Sequence, residues 1–327
     1  MEQYIVRLIT KKIGKKIYHK FVDKKNNEIN DKKYIKNTID GIYIPPAYDN
    51  VKINLNKSHK IRAIGYDDKK RPQYIYNKKF IEEQKDKKFN HMVVFGKKFN
   101  KILRQINSDL YSPKDSKEKQ VAMILKLIME CHFRVGNERY SKKNNSYGTT
   151  TLETKHIKVK GKSISIDFIG KKKVRNVCTV RNKKIVKVLK EKKRTLNKDD
   201  KIFTYRVGNK YFTIKASDVN KYLKQFGKFT TKNFRTWGAN IEFIVQVIKK
   251  SKDCKPDTKT KIQQVLKESI QKVAKKLHNT PAVCRSNYLD PELIKFFTFD
   301  CKKFLKQFSG SSKEEIYKKY VEFLENL

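Results

Sequence analysis

Hydrophobic and polar positions alternate along the first 84 residues, and the period changes after that. Ile5, Arg7 and Ile9 alternate with Tyr4, Val6 and Leu8, which predicts a strand, and KKIGKK turns the chain toward a second strand over 17–21. A polar loop is expected next, then an extended stretch over 41–46 punctuated by Pro45-Pro46, and an alternating strand over 51–55. Residues 61–76 read as a hairpin with a basic turn, and Tyr74 and Tyr76 share one face of its return strand. From about residue 85 the spacing becomes helical. Phe99, Ile102, Leu103 and Ile106 form one face, and Val121, Ile124, Leu125 and Ile128 another, leading into Cys131-His-Phe-Arg134. A strand interlude follows over 155–180, where Ile164, Ile166 and Phe168 alternate between the turn signals Gly161 and Gly170. Helices then resume. Val219, Tyr222, Leu223 and Phe226 are closed by Gly227, Trp237, Ile241, Ile244, Val245 and Ile248 make a second face, and Ile262 to Leu277 a third, announced by Pro256-Asp257. The tail 312–327 is one more amphipathic helix. The expected fold class is α+β in two domains: a small β-rich N-terminal domain over 1–84, and a mostly α-helical C-terminal domain over 85–327 with a short β-hairpin region.

Composition sharpens this picture. Lys and Arg number 79 against 33 Asp and Glu, a formal net charge of +46. So large an excess calls for a polyanionic partner, nucleic acid first. Of the 79 basic residues 12 are arginine and 67 lysine, a bias typical of AT-rich coding that accounts for part of the excess. Five cysteines without a CxxC pair or a close His–Cys cluster argue against a disulfide framework and against a zinc site, and suit a reducing, intracellular setting. No run of 18 apolar residues exists, so no membrane partner is expected, and the N-terminus is too charged to read as a signal peptide.

Four fragments carry candidate chemistry: CHFRVGNERYSKKNNSYGTTTL (131–152), DFIGKKKVRN (167–176), KNFRTWGANI (232–241) and LHNTPAVCRSNYLDP (277–291). Each alone is ordinary, since an Arg at a helix end, a Lys in a glycine turn or a Tyr beside a helix usually serves solvation or packing. Together they supply what phosphoryl transfer to a tyrosine needs. Arg134 and Arg235 can clamp non-bridging phosphate oxygens with forked hydrogen bonds that lysine cannot reproduce. Lys171, at a hairpin tip, can protonate a departing 5′-oxygen. Tyr288 is the candidate nucleophile. In the N-terminal part, Arg71, Gln73, Tyr74 and Tyr76 combine donors and flat rings suited to a DNA groove, though a half-buried aromatic strand pair would look the same.

These fragments, with IPPAYDNVKI, AIGYDDKKRPQYIYN and KFNHMVVFGKKFNKILRQI, resemble the type IB DNA topoisomerases of the small poxvirus, giant-virus and bacterial kind over nearly the full length. The resemblance implies the catalytic fold shared by tyrosine recombinases and type IB topoisomerases. It also implies a monomer closing as a C-shaped clamp on double-stranded DNA, a 3′-phosphotyrosyl intermediate, strand rotation and religation, with no cofactor. It implies Tyr288 as nucleophile, Arg134 and Arg235 as clamps, Lys171 as general acid, Tyr140 as a backbone contact, and Gln73 and Tyr74 in the major groove. Poxvirus enzymes carry histidine directly before Thr-Pro, whereas Asn279 stands there in this chain. Asn279 is therefore the expected phosphate donor and His278 the alternative. The other histidines are expected at the surface or in packing. A tyrosine recombinase is the first rival, but such enzymes usually carry His-x-x-Arg where this chain has Lys232-Asn-Phe-Arg235. Lys232 is therefore grouped with the DNA contacts. A non-enzymatic basic DNA-binding protein is the second rival. The resemblance and the lysine bias point to a viral, intracellular protein that acts where viral DNA is replicated or transcribed, or travels in the virion.

Overall fold

The computed structural model describes residues 3–327. It is a mixed α and β structure that divides into two compact units, Met1–Phe89 and Asn90–Leu327.

The first unit is a five-stranded antiparallel sheet in the order β2-β1-β3-β4-β5, built from β1 (Tyr4–Ile13), β2 (Lys16–Val22), β3 (Asp49–Asn54), β4 (Ile61–Tyr66) and β5 (Pro72–Tyr76). Its core gathers Ile5, Val51, Ile53 and Ala63, with Phe21, Ile39, Ile42, Ile44 and Ile75 packed against them. Two expectations change here. The polar loop contains helix α1 (Lys32–Ile39), started by Asp31, whose carboxylate accepts from the Lys33 and Tyr34 N–H groups. The stretch 41–46 is not a strand. The buried Arg7 guanidinium takes the carbonyls of Ile44, Pro45 and Tyr48 at 3.3, 2.7 and 2.9 Å, so these groups are satisfied by a side chain rather than by a neighbouring strand.

Helix α2 (Lys78–Tyr111) starts earlier than the change of period near residue 85 suggests. The second unit continues with α3 (Lys117–Cys131), α4 (Glu138–Asn144), the antiparallel sheet β6 (Ile157–Lys160), β7 (Ser163–Ile169) and β8 (Arg175–Val180), then α5 (Lys183–Thr195) and the hairpin β9 (Thr204–Val207) and β10 (Lys210–Thr213). Helices α6 (Ala216–Lys224), α7 (Thr231–Asp253), α8 (Lys259–Lys276), α9 (Pro281–Asn287), α10 (Pro291–Phe299), α11 (Cys301–Phe308) and α12 (Lys313–Glu325) complete it. Two helix limits are set by local chemistry other than the expected residues. Helix α6 ends at Lys224, before Gly227, and α8 is capped by the Thr258 hydroxyl on the Lys261 N–H. The core centres on α7. Trp237 is 2% exposed, and Phe95, Phe99 and Phe234 meet it or one another edge-on or tilted at 5.1–6.2 Å.

The cysteines overturn one expectation. Cys131, at the end of α3, and Cys178, in β8, form a disulfide across 47 residues, with Cα atoms 5.6 Å apart. Their sequence spacing carries no sign of it, because the pair is made by packing the sheet against the end of α3. The bond ties the segment leading to Arg134 to the strand that returns from Lys171.

Candidate active site

The site is assembled from four loops and helix ends of the second unit. Helix α3 stops at His132, whose left-handed backbone (φ 52°) turns the chain outward. Arg134 and Val135 then lie beside 149–150. The Arg134 carbonyl accepts from the Thr149 N–H at 2.8 Å and the Thr149 hydroxyl at 3.1 Å, and the Val135 carbonyl from the Thr150 N–H and hydroxyl at 2.7 and 2.8 Å. This ladder requires Gly136 and Gly148 to pass backbone against backbone. Gly136 has φ +98°, and a Cβ on Gly148 would lie 2.5 Å from Gly136 and 2.7 Å from the Arg134 carbonyl oxygen. The contacts are backbone and cannot swing away. Gly148→Ala is therefore expected to cost about 1–3 kcal/mol of stability, read as a fall in urea midpoint, and to slow any reaction that depends on Arg134.

The second arginine comes from the first turns of α7, inside the protein. Arg235 is 4% exposed. Its Nη2 donates to the Leu277 carbonyl at 3.2 Å and lies 3.5 Å from the Tyr288 hydroxyl, and the guanidinium sits 5.2 Å from the centre of that ring. Tyr288 is delivered by a break in the helices. α8 ends at Lys276, His278 adopts φ 54°, Thr280 caps α9 by accepting from the Val283 N–H with Pro281 in the first turn, and Tyr288 follows as the half-buried residue closing that helix. Asn279 lies in the same break, and its Oδ1 accepts from Arg134 Nη2 at 2.7 Å. Arg235 Nε and Nη1 and Asn279 Nδ2 are buried donors without a hydrogen-bond partner among the described residues. Buried donors of this kind ordinarily find an acceptor, and a phosphate oxygen is one that suits them.

Electrostatics follow from this arrangement. Burial pushes the Tyr288 phenol up, but the charges of Arg235 and Arg134 pull harder, and it lies below its ordinary value. Burial, followed by the Arg235 charge, holds His132 down at about 3, and burial also lowers His278. Burial pushes the Cys284 thiol up to about 12 although Arg235 opposes it. The imidazoles and the thiol next to the site are therefore neutral at ordinary pH, and the arginines supply its charge.

The remaining candidates are placed as follows. The His278 ring packs on Phe133 at 5.6 Å, and it is Asn279, not His278, that accepts from Arg134 Nη2. Lys171 is exposed on the β7–β8 connection, and no hydrogen bond ties it to Arg134, Arg235 or Tyr288 among the described residues. The connection is itself held: the Tyr147 N–H donates to the Ile169 carbonyl at 2.9 Å, and Arg175 grips Asp167 across the hairpin at 2.9 and 2.5 Å. Tyr140 on α4 is 56% exposed, and Lys232 is exposed on the first turn of α7. In the first unit, Tyr74 and Tyr76 project from the exposed face of β5 with ring centres 6.4 Å apart, opposite Ile75 in the core. Arg71 and Gln73 both donate to Asp67, at 2.6 to 3.0 Å, and the Arg71 hydrogen bond first of all draws that carboxyl down to about 2.

One residue with a clear part in this geometry was not singled out from the sequence. Asn240, fully buried on α7, donates to the Tyr288 carbonyl at 3.0 Å and accepts from the Asp290 N–H at 2.8 Å, so it brackets the tyrosine from both sides. Its position in FRTWGANI, five residues after Arg235, was the available signal. A buried Asn there needs partners, and the helix alone satisfies only its bond to the Thr236 carbonyl.

A strongly basic protein with one buried arginine at a tyrosine hydroxyl and a second arginine held by Asn279 in the same helix break has the equipment of an enzyme acting on phosphodiesters. Comparison with known proteins supplies the family. Residues 77–313 match the family model for the catalytic core of eukaryotic DNA topoisomerase I. A DNA topoisomerase 1B of Acanthamoeba polyphaga mimivirus is 31% identical over 285 residues, 85% of this chain and 83% of the viral protein. The DNA topoisomerase I of monkeypox virus is 26% identical over 236 residues, 71% of this chain and 70% of that protein. The DNA topoisomerase 1 alpha of Arabidopsis thaliana is 27% identical over 146 residues, 44% of this chain and 15% of the plant protein. The chain belongs to the type IB DNA topoisomerases.

Proposed function

We propose that the protein relaxes supercoiled duplex DNA by cutting one strand with Tyr288, letting the ends rotate, and resealing them. The Tyr288 oxygen attacks phosphorus and the bond to the 5′-oxygen breaks, leaving a 3′-phosphotyrosyl link. The phenol gives up its proton, and Lys171 supplies one to the 5′-oxygen. A phosphodiester is exchanged for a phosphodiester, so the bond energy is kept and the reverse attack by the 5′-hydroxyl reseals the strand without ATP. Arg134 and Arg235 hold the non-bridging oxygens as charge builds on them, and Asn279 adds a neutral donor. The observation that carries this reading is the Tyr288 hydroxyl beside a buried Arg235 with unpaired donors.

The domains follow the same reading. Residues 1–84 are the DNA-clamp domain, with Tyr74 and Tyr76 in a groove, and 85–327 the catalytic domain, with Tyr140 and Lys232 on the DNA backbone. The enzyme works as a monomer closing as a C-shaped clamp on the duplex, inside an infected cell. Relaxation of negatively supercoiled plasmid in EDTA without ATP tests the function. Conversion to relaxed topoisomers is the expected result, and a plasmid that is bound but stays supercoiled at every protein concentration would refute it.

A further inference from the structure

The last helix, α12, packs deep into the second unit. Tyr320 is fully buried (0% exposed). Its ring lies 5.1 Å from Trp237, two residues after Arg235 on α7, and its hydroxyl donates to Asp290 Oδ2 at 3.4 Å. Asp290 is 1% exposed and stands two residues after Tyr288. Its other carboxylate oxygen accepts from the Glu292 N–H at 2.9 Å to cap α10, and its own N–H is held by Asn240. The seat of α12 is close-packed: a Cβ on Gly96 of α2 would meet Val321 at 2.7 Å and Trp237 at 2.8 Å, and Phe323 stacks on Phe296 of α10 at 5.5 Å. The match to the family's catalytic core ends at residue 313, where α12 begins.

We propose that Tyr320 is a positioning residue for the nucleophile: by touching Trp237 with its ring and Asp290 with its hydroxyl, it fixes the Tyr288 segment against the helix that carries Arg235. This rests on Tyr288 being the nucleophile. The physical reason is that Tyr288 follows the end of a short helix, and its main chain is held by Asn240 and, through Asp290, by Tyr320. A phenol oxygen must meet phosphorus in line, and a misplacement of about 1 Å can cost on the order of 100-fold in rate. Removing the hydroxyl leaves a buried carboxylate oxygen without this donor, and the carboxylate must shift to find another. The backbone at 288–290 shifts with it.

Tyr320→Phe keeps the ring on Trp237 and removes only the hydroxyl. Single-turnover cleavage of a duplex oligonucleotide would be followed at saturating enzyme, beside the DNA dissociation constant and the emission of Trp237, the single tryptophan of the chain. The expected result is cleavage slowed about tenfold, with affinity and emission unchanged, because a fully buried side chain cannot touch DNA. Cleavage at the wild-type rate, or a loss explained entirely by weaker binding, overturns the proposal. Should the emission show that Tyr320→Phe does not fold, Asp290→Ser takes its place, since serine caps a helix about as well as aspartate does and has no second polar atom to meet the Tyr320 hydroxyl. The same slowing is then expected, and a wild-type rate overturns the proposal. A wild-type enzyme that binds the duplex and never cleaves it would instead refute the proposed function itself.

Discussion

Tyr288→Phe is expected to abolish the covalent protein–DNA adduct while leaving DNA binding intact. The phenol oxygen is the only atom lost, and the ring stays packed against the Arg235 guanidinium, whose 5.2 Å contact does not need the hydroxyl. Removal of an enzyme's nucleophile typically lowers the rate on the order of 10⁵-fold or more, so relaxation should fall below detection. A denaturing gel makes the check. With wild-type enzyme a duplex labelled at the 5′ end of the cut strand should give a slow-moving protein-linked band, because the covalent link keeps the upstream fragment. A label at the 3′ end should leave the protein with the released fragment. The phenylalanine variant should give neither a band nor a free fragment. An adduct formed by the variant would place the nucleophile elsewhere.

The next largest effect is expected at Arg235. Arg235→Lys keeps a positive charge and loses the planar fork, so one phosphate oxygen goes unheld in the transition state. Loss of one such donor typically costs on the order of 10²–10³ in rate, about 2.7–4 kcal/mol. The DNA affinity should change little, since lysine keeps the positive charge and a single phosphate contact is a small share of those made by a chain with 79 basic residues. A second substitution reads the electrostatics. The Tyr288 phenol is pushed up by burial and pulled below its ordinary value chiefly by the Arg235 charge. In the proposed mechanism the deprotonated phenol attacks, so cleavage should rise with pH through that pKa. Arg235→Gln removes the charge and leaves burial unopposed by it, and the rise should move to higher pH. A rise at the same pH in Arg235→Gln as in the wild type would show that Arg235 does not tune the phenol.

Much of the fold lay in local spacing. The two-residue alternation of β1 to β5 and the helical faces of α2, α3, α7, α8 and α12 are visible because burial on one side of an element imprints its own period. Helix α1 was hidden because its signal is a cap at Asp31 rather than a stripe, and 41–46 resembled a strand because nothing local reveals that Arg7, more than thirty residues earlier, takes its carbonyls. The candidates for the reacting groups could be named from the sequence too: arginine at 134 and 235 in a lysine-rich chain, and a tyrosine after a broken helix, are chemical choices written residue by residue. Their meeting is not. Arg235 and Tyr288 stand 53 residues apart, and Arg134 and Asn279 stand 145 apart. Asn240 brackets the tyrosine, Gly136 passes Gly148, Cys131 joins Cys178, and Tyr320 reaches Asp290, all only because helices and strands pack as they do. Backbone geometry and burial act over a few neighbouring residues and leave a period in the sequence. Contacts between distant segments are set by packing, in which each side chain's partner depends on all the others.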